Sequence, residues 1–327
     1  MDMRIKKLSC FDLPKIKKMV SYLGNKANDK LLKVILCEPV SLFNYLLPLQ
    51  YKFLPESYIL VEGDEILGLI TVELTSGNPY KVNITRLIFK EDFYDVGKQL
   101  VDFVVSKYGA KGANSFAVYV DISHDELCML FNEGCGFRQC SYENLWKIDN
   151  FKPETNVQAK FRIAQNSDAI GISELYNSEL NNLYKPSMER CPTEYVEPIF
   201  AGFNPFYKNR YVIDLNGVII AYLSVTTADN LNYIIDLSLN DGYQFNYDEI
   251  LNFVLHEITR RKKYFTAFVK HRQYAKKADH FEEYLHSRHF NCVQTQCVFV
   301  KDFYKPIKQS DSVLKVFLLG DNSILSN

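Results

Sequence analysis

The residues from Lys81 to Val105 combine a strand pattern with a helix start that could bind phosphate. Asn83 to Phe89 is β-branched and apolar, which predicts a buried or half-buried strand. From Val96 onward apolar residues recur at helical spacing, so a helix follows the strand. Gly97 falls in the first turn, where a missing side chain would let another molecule approach the backbone. Because the N–H groups of a helix N-terminus attract anions, the stretch predicts a phosphate site.

The composition is that of a globular protein and narrows the possible functions. Of the 327 residues, 47% are apolar and 24% are charged, which is typical of a soluble globular chain. The 38 basic residues nearly balance the 39 acidic ones, which argues against a protein built mainly to coat nucleic acid or a membrane surface. Only 14 residues are glycine, so a phosphate-binding loop would contain few of them.

Cysteine usage and the N-terminal sequence indicate a cytoplasmic protein. The eight cysteines are scattered, contain no CxxC pair and fit neither a zinc site nor a disulfide framework. The first 20 residues are basic but lack the apolar core and the cleavage site of a signal peptide. No apolar run approaches the roughly 20 residues that span a bilayer. We therefore expect a reduced, soluble, cytoplasmic chain with no membrane partner.

The second half of the chain repeats the first at a separation of about 150 residues, as tandem copies of one unit would. The clearest match joins Tyr58–Val72 to Tyr211–Val225, each a predicted hairpin with turn residues between alternating apolar runs. Three shorter matches follow in the same order: Leu100–Val105 with Ile250–Leu255, Phe131–Phe137 with Tyr284–Phe290, and Lys147–Pro153 with Val300–Pro306.

The repeat predicts two α/β domains, at residues 1–153 and 158–327, joined by the polar linker Pro153–Val157. Each domain should contain an opening strand, a helix, a hairpin, a strand running into a helix, another strand, a short helix and a final strand. The segments 28–55 and 175–208 align poorly with each other. Segments that diverge between copies of one scaffold are where substrates or partners usually differ.

This order of elements resembles the GCN5-related N-acetyltransferase (GNAT) fold, present twice. The resemblance covers nearly the whole chain and implies an α/β fold class with two tandem GNAT-like (acyl-CoA N-acyltransferase) domains, each a mixed, mostly antiparallel sheet flanked by helices. In that family an acyl-coenzyme A lies where the fourth and fifth strands splay apart. Its pyrophosphate rests on a Q/R-x-x-G-x-G/A loop that opens the next helix.

The resemblance implies that acetyl-CoA, or another acyl-CoA, is the co-substrate and binds the first copy. In that copy Asp92–Gly97 occupies the phosphate loop, although Glu91 and Asp92 place two carboxylates close to where the anion would bind. The second copy has Asn240–Asn246 there, with Gly242 as its single glycine. The residues implied to bind the coenzyme lie on the strand and at the helix start: Leu87, Ile88, Phe89, Asp95, Val96, Gly97 and Lys98.

Four residues are candidates for acid–base catalysis. Glu73, at the end of the hairpin, and Asp121, at the end of the next strand, could deprotonate an amine directly or through water. Family members often use a tyrosine in the closing motif to protonate the thiolate. The first copy has Phe131 at that place and leaves Tyr142 as a substitute, whereas the second copy has Tyr284. Each of these residues also has an ordinary alternative role, as a solvated strand end or as packing.

The hypothesis from the sequence is an acyl-CoA-dependent N-acyltransferase that acetylates a small-molecule or peptide amine. One alternative is a binding or regulatory protein that kept the fold without catalysis. Another is transfer from aminoacyl-tRNA, since Arg260–Lys263, Lys270–Arg272 and Lys276–Lys277 form a basic, tyrosine-containing run. His280, His286 and His289 could suggest a metal site, but a solvated helix face explains them better, and we predict no metal.

Overall fold

A computed structural model describes residues 3–20, 55–74, 78, 80–89, 94–149, 151, 159–197, 207–227 and 229–303. The described residues form twelve strands: β1 Met3–Lys7, β2 Glu56–Glu62, β3 Glu65–Leu74, β4 Lys81–Phe89, β5 Ser115–Asp121, β6 Arg138–Lys147, β7 Arg162–Ile163, β8 Tyr207–Leu215, β9 Val218–Thr227, β10 Asn232–Leu239, β11 Thr266–Arg272 and β12 Asn291–Asp302.

They also form seven α-helices: α1 Leu13–Val20, α2 Tyr94–Gly109, α3 Asp125–Met129, α4 Ala169–Glu179, α5 Lys185–Met188, α6 Tyr247–Arg261 and α7 Ala278–Ser287. A π-helical turn, Leu130–Gly134, extends α3, and a 3-10 turn, Pro192–Tyr195, follows α5. The described part of each half repeats the predicted order of elements. The predicted linker, Pro153–Val157, lies outside the described residues apart from its flanks, so the two domain boundaries remain a prediction.

All twelve strands belong to one sheet, in the order β1-β2-β3-β4-β5-β12-β6-β11-β10-β9-β8-β7. The pairs β4–β5 and β10–β11 are parallel, and the other neighbouring pairs are antiparallel. The predicted fold class, a mixed and mostly antiparallel sheet flanked by helices, is therefore confirmed. The sequence did not predict that the sheets of the two halves would be continuous.

The sheet is continuous because the two halves exchange their final strands. The last strand of the first half, β6, pairs with β11 of the second half. The last strand of the second half, β12, pairs with β5 of the first half and also with β6. Each half therefore completes its sheet with a strand from the other, as happens when identical elements are swapped between subunits.

A buried acid fixes the exchanged strands. Glu143 on β6 pairs with Lys270 on β11, with Lys270 Nζ 2.9 Å from the Glu143 carboxylate. The other carboxylate oxygen of Glu143 accepts a hydrogen bond from the Tyr274 hydroxyl. Only 3% of the Glu143 side chain is exposed, so this carboxylate depends on both partners for its stability in the interior.

Helices cover both faces of the sheet. Successive side chains of a strand point to opposite faces. On β5, Phe116 and Val118 pack into the core with α2, whereas Ala117 and Tyr119 pack on the opposite face with α4. Tyr142 packs against the α2 core, and Trp146 belongs to a second core beneath α6 and α7. Because these residues are four positions apart on β6, their side chains point to the same face, so the second core lies on the same face of the sheet as α2.

Candidate functional site

The two parallel strand pairs separate along part of their length and leave two gaps. In the first half β4 pairs with β5 from Lys81 to Ile84, and β4 then continues to Phe89 without pairing to β5. In the second half β10 pairs with β11 from Asn232 to Ile235 and continues to Leu239 in the same way. We call the gap beyond Ile84 the first cleft and the gap beyond Ile235 the second cleft.

Strand register shows which residues of the two clefts correspond. Leu87 on β4 lies opposite Ile70, and Leu237 on β10 lies opposite Leu223. Ile70 and Leu223 are matching positions of the aligned hairpins, so Leu87 and Leu237 occupy the same place in their halves. By the same reasoning, Phe89 and Leu239, two positions further along their strands, also correspond to each other. A β-bulge near residue 85 interrupts the register of β4, whereas β10 is regular.

In the second cleft, side chains of the protein bind the edge of β10. Arg272 donates a hydrogen bond to the carbonyl of Leu237, and the amide of Leu239 donates one to the Glu179 carboxylate. Arg272 also lies 3.3 Å from Asp236 and 3.9 Å from the second oxygen of Glu179. These contacts occupy the carbonyl of Leu237 and the amide of Leu239, two of the four peptide groups that these residues present to the cleft.

Glu179, the last residue of α4, reaches β10 and has a raised pKa. Its side chain is 12% exposed. Burial raises the pKa of Glu179 to about 7, although Arg272 and the Leu239 amide both favour the carboxylate. The charged form therefore becomes dominant only near neutral pH.

The helix N-terminus beside the second cleft is also occupied. The Asn246 side chain caps α6 by accepting the Asp248 amide at 3.0 Å. The Asp248 carboxylate in the first turn accepts a hydrogen bond from the Tyr284 hydroxyl at 2.7 Å and also pairs with Arg288. An anionic ligand at this N-terminus would meet a carboxylate, so the second cleft is a poor phosphate site.

A cavity of about 460 Å³ remains over the second cleft. Its lining includes Leu239, the loop at residues 240–245, Tyr247, Lys277 and Phe281. Two of its lining residues are joined to each other, since Lys277 donates to the carbonyl of Asp241. The cavity has space for a ligand, but the backbone beneath it is already hydrogen-bonded.

In the first cleft, the edge of β4 has no such internal partners. Beyond its pairing with β3, the backbone of Leu87, Ile88 and Phe89 forms no hydrogen bond with a described residue. All three side chains are partly buried. Glu91 and the first two residues of the predicted phosphate loop, Asp92 and Phe93, lie outside the described residues.

The helix that follows β4 positions the other residues predicted to bind the coenzyme. In the first turns of α2, Asp95 is exposed, Val96 is buried and Lys98 pairs with Asp102 at 2.9 Å. Gly97 is buried by its neighbours. A Cβ added at Gly97 would lie 2.8 Å from the Phe89 ring and 2.9 Å from Leu130. The space above Gly97, which the sequence suggested another molecule would use, is therefore filled by these two side chains.

The two predicted bases lie at different ends of the first half. Glu73 is exposed and lies opposite Asn83, at the end where β4 and β5 are still paired. Asp121, at the end of β5, borders the first cleft. Burial favours protonation of Asp121, but hydrogen bonds from Ser123 and from Gln294 at 2.8 Å outweigh it and lower its pKa. A carboxylate with a lowered pKa is a weak base.

The two predicted acids also lie apart from each other. Tyr142 is on β6 opposite Cys297, where its hydroxyl accepts a hydrogen bond from the Gln139 side chain. Tyr284 is on α7, and its hydroxyl donates to Asp248 at 2.7 Å. Burial raises the pKa of Tyr284, which makes it a weaker acid. The structure does not bring the four predicted catalytic side chains together.

Only part of the predicted basic run is exposed at the protein surface. Arg272, 5% exposed, pairs with Asp236 on β10, and Lys270, 31% exposed, pairs with Glu143 on β6. Acids on the neighbouring strands therefore neutralise these two members of the run, and Arg272 is no part of a basic surface. Arg260, at the end of α6, is exposed as expected.

Several polar residues that shape the clefts were missed by sequence reasoning. Glu179 and Arg272 fill the edge of the second cleft, and Glu143 secures the strand exchange. Glu179 lies in the segment 175–208, whose divergence between the copies was the available signal. The partners of Arg272 and Glu143 depend on which strands are neighbours, so local sequence carried no signal for them.

The described residues contain neither a cluster of metal ligands nor a membrane-spanning helix. Across the described residues, no group of three or more His, Cys, Asp or Glu side chains is placed to hold a metal ion. His286 instead contacts the Trp146 ring, with ring centroids 4.8 Å apart. None of the helices in the described part of the chain is long and apolar enough to cross a membrane.

Comparison with known proteins identifies the fold. No protein-family model and no curated protein sequence matches the chain. Among solved structures, a tandem GNAT protein from the clavulanic acid biosynthesis pathway has a TM-score of 0.59 at 12% identity, with 93% of this chain and 100% of that chain covered. A GCN5-related N-acetyltransferase from Sphaerobacter thermophilus has a TM-score of 0.59 at 10% identity, covering 94% and 98%. The chain therefore has the tandem GNAT fold.

Proposed function

We propose that this tandem GNAT-fold chain is an acyl-CoA-dependent N-acyltransferase and that its coenzyme binds in the first cleft. The observation that supports the choice of cleft is the difference between the two strand edges. Leu87 and Phe89 have no internal hydrogen-bond partner among the described residues on the cleft side. Their counterparts, Leu237 and Leu239, are bound by Arg272 and Glu179.

The residues of the first cleft fit an extended arm with amide groups. An unpaired strand edge offers alternating N–H and C=O groups, which are the partners that such an arm needs. The coenzyme would supply a thioester, and the backbone amides at Leu87–Phe89 would polarise its carbonyl. The amine nitrogen of the acceptor would form a bond to the thioester carbonyl carbon as the carbon–sulfur bond breaks. The amine proton would pass to water or to a base, and the coenzyme would leave as a thiolate that takes a proton from water.

Asp121 is the better placed of the two candidate bases but is held as a weak one. Its three hydrogen bonds with Ser123 and Gln294 fix it at the end of β5. We propose that Asp121 orients water or the amine, and that direct proton abstraction contributes little. Tyr284 and Tyr142 have no part in this scheme, since their hydroxyls are engaged elsewhere.

Hydrogen exchange with and without acetyl-CoA tests this proposal and compares the clefts within one molecule. We expect coenzyme to slow amide exchange in the peptide that contains Leu87–Phe89 and to leave the peptide that contains Leu237–Leu239 unchanged. A rise in melting temperature should accompany it, since a ligand bound only to the folded state stabilises by about 2.7 kcal/mol at 100 times its dissociation constant. No protection at millimolar acetyl-CoA, or protection at the second cleft alone, would contradict the proposal.

Release of the coenzyme thiol separates the enzyme from a binding protein of the same fold. With a panel of amines, an enzyme should release free thiol in an amine-dependent manner. Protection at Leu87–Phe89 without thiol release would instead favour the non-catalytic alternative. A bulky residue at Gly97 is unsuitable as a blocking variant, because it would displace Phe89 and Leu130 whether or not coenzyme binds.

A further inference from the structure

The cavity over the second cleft has an aromatic lining. Four rings border this space of about 460 Å³: Tyr243, Phe245, Tyr247 and Phe281. The first two belong to the loop after β10, with ring centroids 6.4 Å apart, and the other two belong to α6 and α7, with centroids 4.9 Å apart. All four side chains are at least partly exposed, so they can contact a molecule in the cavity. The volume and the lining suit a small ligand that contains one ring.

A carboxylate with an incomplete set of partners borders the same cavity. One oxygen of Glu179 accepts the Leu239 amide, whereas the other is buried without a hydrogen bond to any described residue. The second oxygen lies 3.9 Å from Arg272, and the Ser238 hydroxyl also favours the charged form. A buried acceptor without a hydrogen bond costs free energy, which a donor on a ligand would recover.

Glu179 is the less well neutralised of two neighbouring acids. Arg272 lies 3.3 Å from Asp236 and 3.9 Å from Glu179, and Asp236 also interacts with the charge of Arg190. Among the described residues Glu179 has an ion-pair contact with Arg272 only. Burial raises the pKa of Glu179 to about 7 with these contacts in place, so they compensate its burial only in part. A cation in the cavity would complete that compensation.

The basic residues that border the cavity are paired or exposed. Lys270 pairs with Glu143 at 2.9 Å. Lys276, Lys277 and His280 are exposed, and the two lysines donate to backbone carbonyls. Water and salt screen exposed charges much more than buried ones. The attraction of Glu179 for a cation inside the cavity therefore outweighs the repulsion from these groups.

The second cleft lies too far from the first for one ligand to reach both reaction and binding groups. Four strands separate the two gaps: β5, β12, β6 and β11. At the usual spacing of neighbouring strands this is roughly 15–20 Å. A small ligand in the second cleft is therefore not the molecule that receives an acyl group in the first.

We infer that the cavity over the second cleft binds a small aromatic amine in its protonated form, with the ammonium donating to the free oxygen of Glu179 and the ring against the aromatic lining. An ammonium has donors and no acceptor, which matches an oxygen without a partner. The faces of aromatic rings also attract cations. Acylation removes the positive charge of the amine, so the second half would distinguish a free amine from the product that transfer in the first half forms. The site itself does not depend on the transfer reaction.

Four probe compounds test the site in the absence of coenzyme: 2-phenylethylamine, its N-acetyl derivative, 3-phenylpropionate and n-butylamine. In calorimetric titrations 2-phenylethylamine should bind roughly 10- to 100-fold more tightly than its N-acetyl derivative, which lacks the charge. It should also bind more tightly than 3-phenylpropionate, which has the opposite charge, and n-butylamine, which lacks the ring. Equal or tighter binding of any of the other three compounds, or no binding of 2-phenylethylamine at millimolar concentration, would overturn the inference.

A pair of variants on α4 attributes the preference to Glu179. Glu179→Gln keeps an acceptor for the Leu239 amide and removes the charge, so it should abolish the preference for the amine over its N-acetyl derivative. Glu174→Gln makes the same change at an exposed position of the same helix and should leave the preference intact. A preference that survives in folded Glu179→Gln would contradict the inference.

Hydrogen exchange locates the bound amine and decides the question even if Glu179→Gln does not fold. In the wild-type protein, 2-phenylethylamine should slow amide exchange in the peptide that contains Leu237–Leu239 and the loop at residues 240–245. Protection confined to other peptides, such as the one that contains Leu87–Phe89, would overturn the inference. Because protection by acetyl-CoA is expected at Leu87–Phe89 and protection by the amine at the second cleft, failure of the proposed function and failure of the amine site are distinguishable.

Discussion

In the first cleft the edge of β4 is without internal partners in the described structure, whereas in the second cleft two side chains bind the same edge of β10. Apart from the β-bulge in β4, the two halves match in strand register, in the order of their elements and in the separation of their parallel strands. Arg272 donates to a peptide carbonyl that faces the second cleft, and Glu179 accepts from a peptide amide there. A carboxylate oxygen and a guanidinium thus occupy the positions that an amide-containing ligand would need.

Two copies of one fold can thus differ, with a strand edge free to bind a ligand in one copy and the same edge bound by side chains in the other. Two charged residues suffice, because a free strand edge is only a row of unpaired peptide groups. Once Glu179 and Arg272 bind this edge, the second half gains a rigid contact between α4, β10 and β11.

The largest effect should come from the acid that joins the two halves. Glu143→Gln leaves Lys270 without its charged partner at the centre of the sheet, so we expect a loss of about 3–5 kcal/mol in the free energy of unfolding. Urea denaturation measures it. Asp241→Asn is the matched control, since Asp241 lies 3.9 Å from Lys277 at the surface and its loss should cost less than about 1 kcal/mol. Equal costs would show that the exchange does not depend on this pair.

Glu179 should make the stability of the second half depend on pH. Its pKa is about 7 in the folded chain, against the ordinary 4.5. Between those values the folded state binds the extra proton, so rising pH favours unfolding, by about 2–3 kcal/mol in all. Glu179→Gln keeps an acceptor for the Leu239 amide and removes this titration, while buried His271, whose pKa is lowered by burial, titrates in both proteins. Wild-type stability should therefore fall relative to that of the variant as the pH rises from 5 to 7, and a difference between the two proteins that does not change with pH would contradict this assignment.

Glu56, at the edge of the first half, should give the opposite dependence. Burial would raise the pKa of Glu56, but hydrogen bonds from Tyr108, Tyr58 and Lys7 lower it to about 2. Its stabilisation is present above pH 4.5 and is lost as the pH falls toward 2. Glu56→Gln should therefore cost about 1–2 kcal/mol at neutral pH and little at pH 2, as measured by urea denaturation. A cost that does not change with pH would point to packing instead of charge.

Sequence periodicity predicted the elements of the fold because it reports local burial. The aligned hairpins, the strand before α2 and the strand at Ser115–Asp121 all form as predicted. The continuous sheet was not predictable in this way, since β6 could pair within its own half or across to β11 with the same alternation of side chains. The same limit explains Lys270 and Arg272, whose burial depends on acids in strands that are distant in sequence.

The smallest effect concerns Gly97, where the two halves differ in packing. In the alignment of Leu100–Val105 with Ile250–Leu255, the residue of α6 that corresponds to Gly97 is Tyr247, whose half-buried ring packs near Phe281. Gly97→Ala gains helix propensity but drives a Cβ to within 2.8 Å of Phe89, so we expect a net loss of about 1 kcal/mol. Gly109→Ala, at the end of the same helix with nothing within 4 Å, should instead be neutral or gain up to about 1 kcal/mol. If Gly97→Ala were stabilising in urea denaturation, Phe89 would have to be mobile enough to move aside, and the packed entrance of the first cleft would open readily.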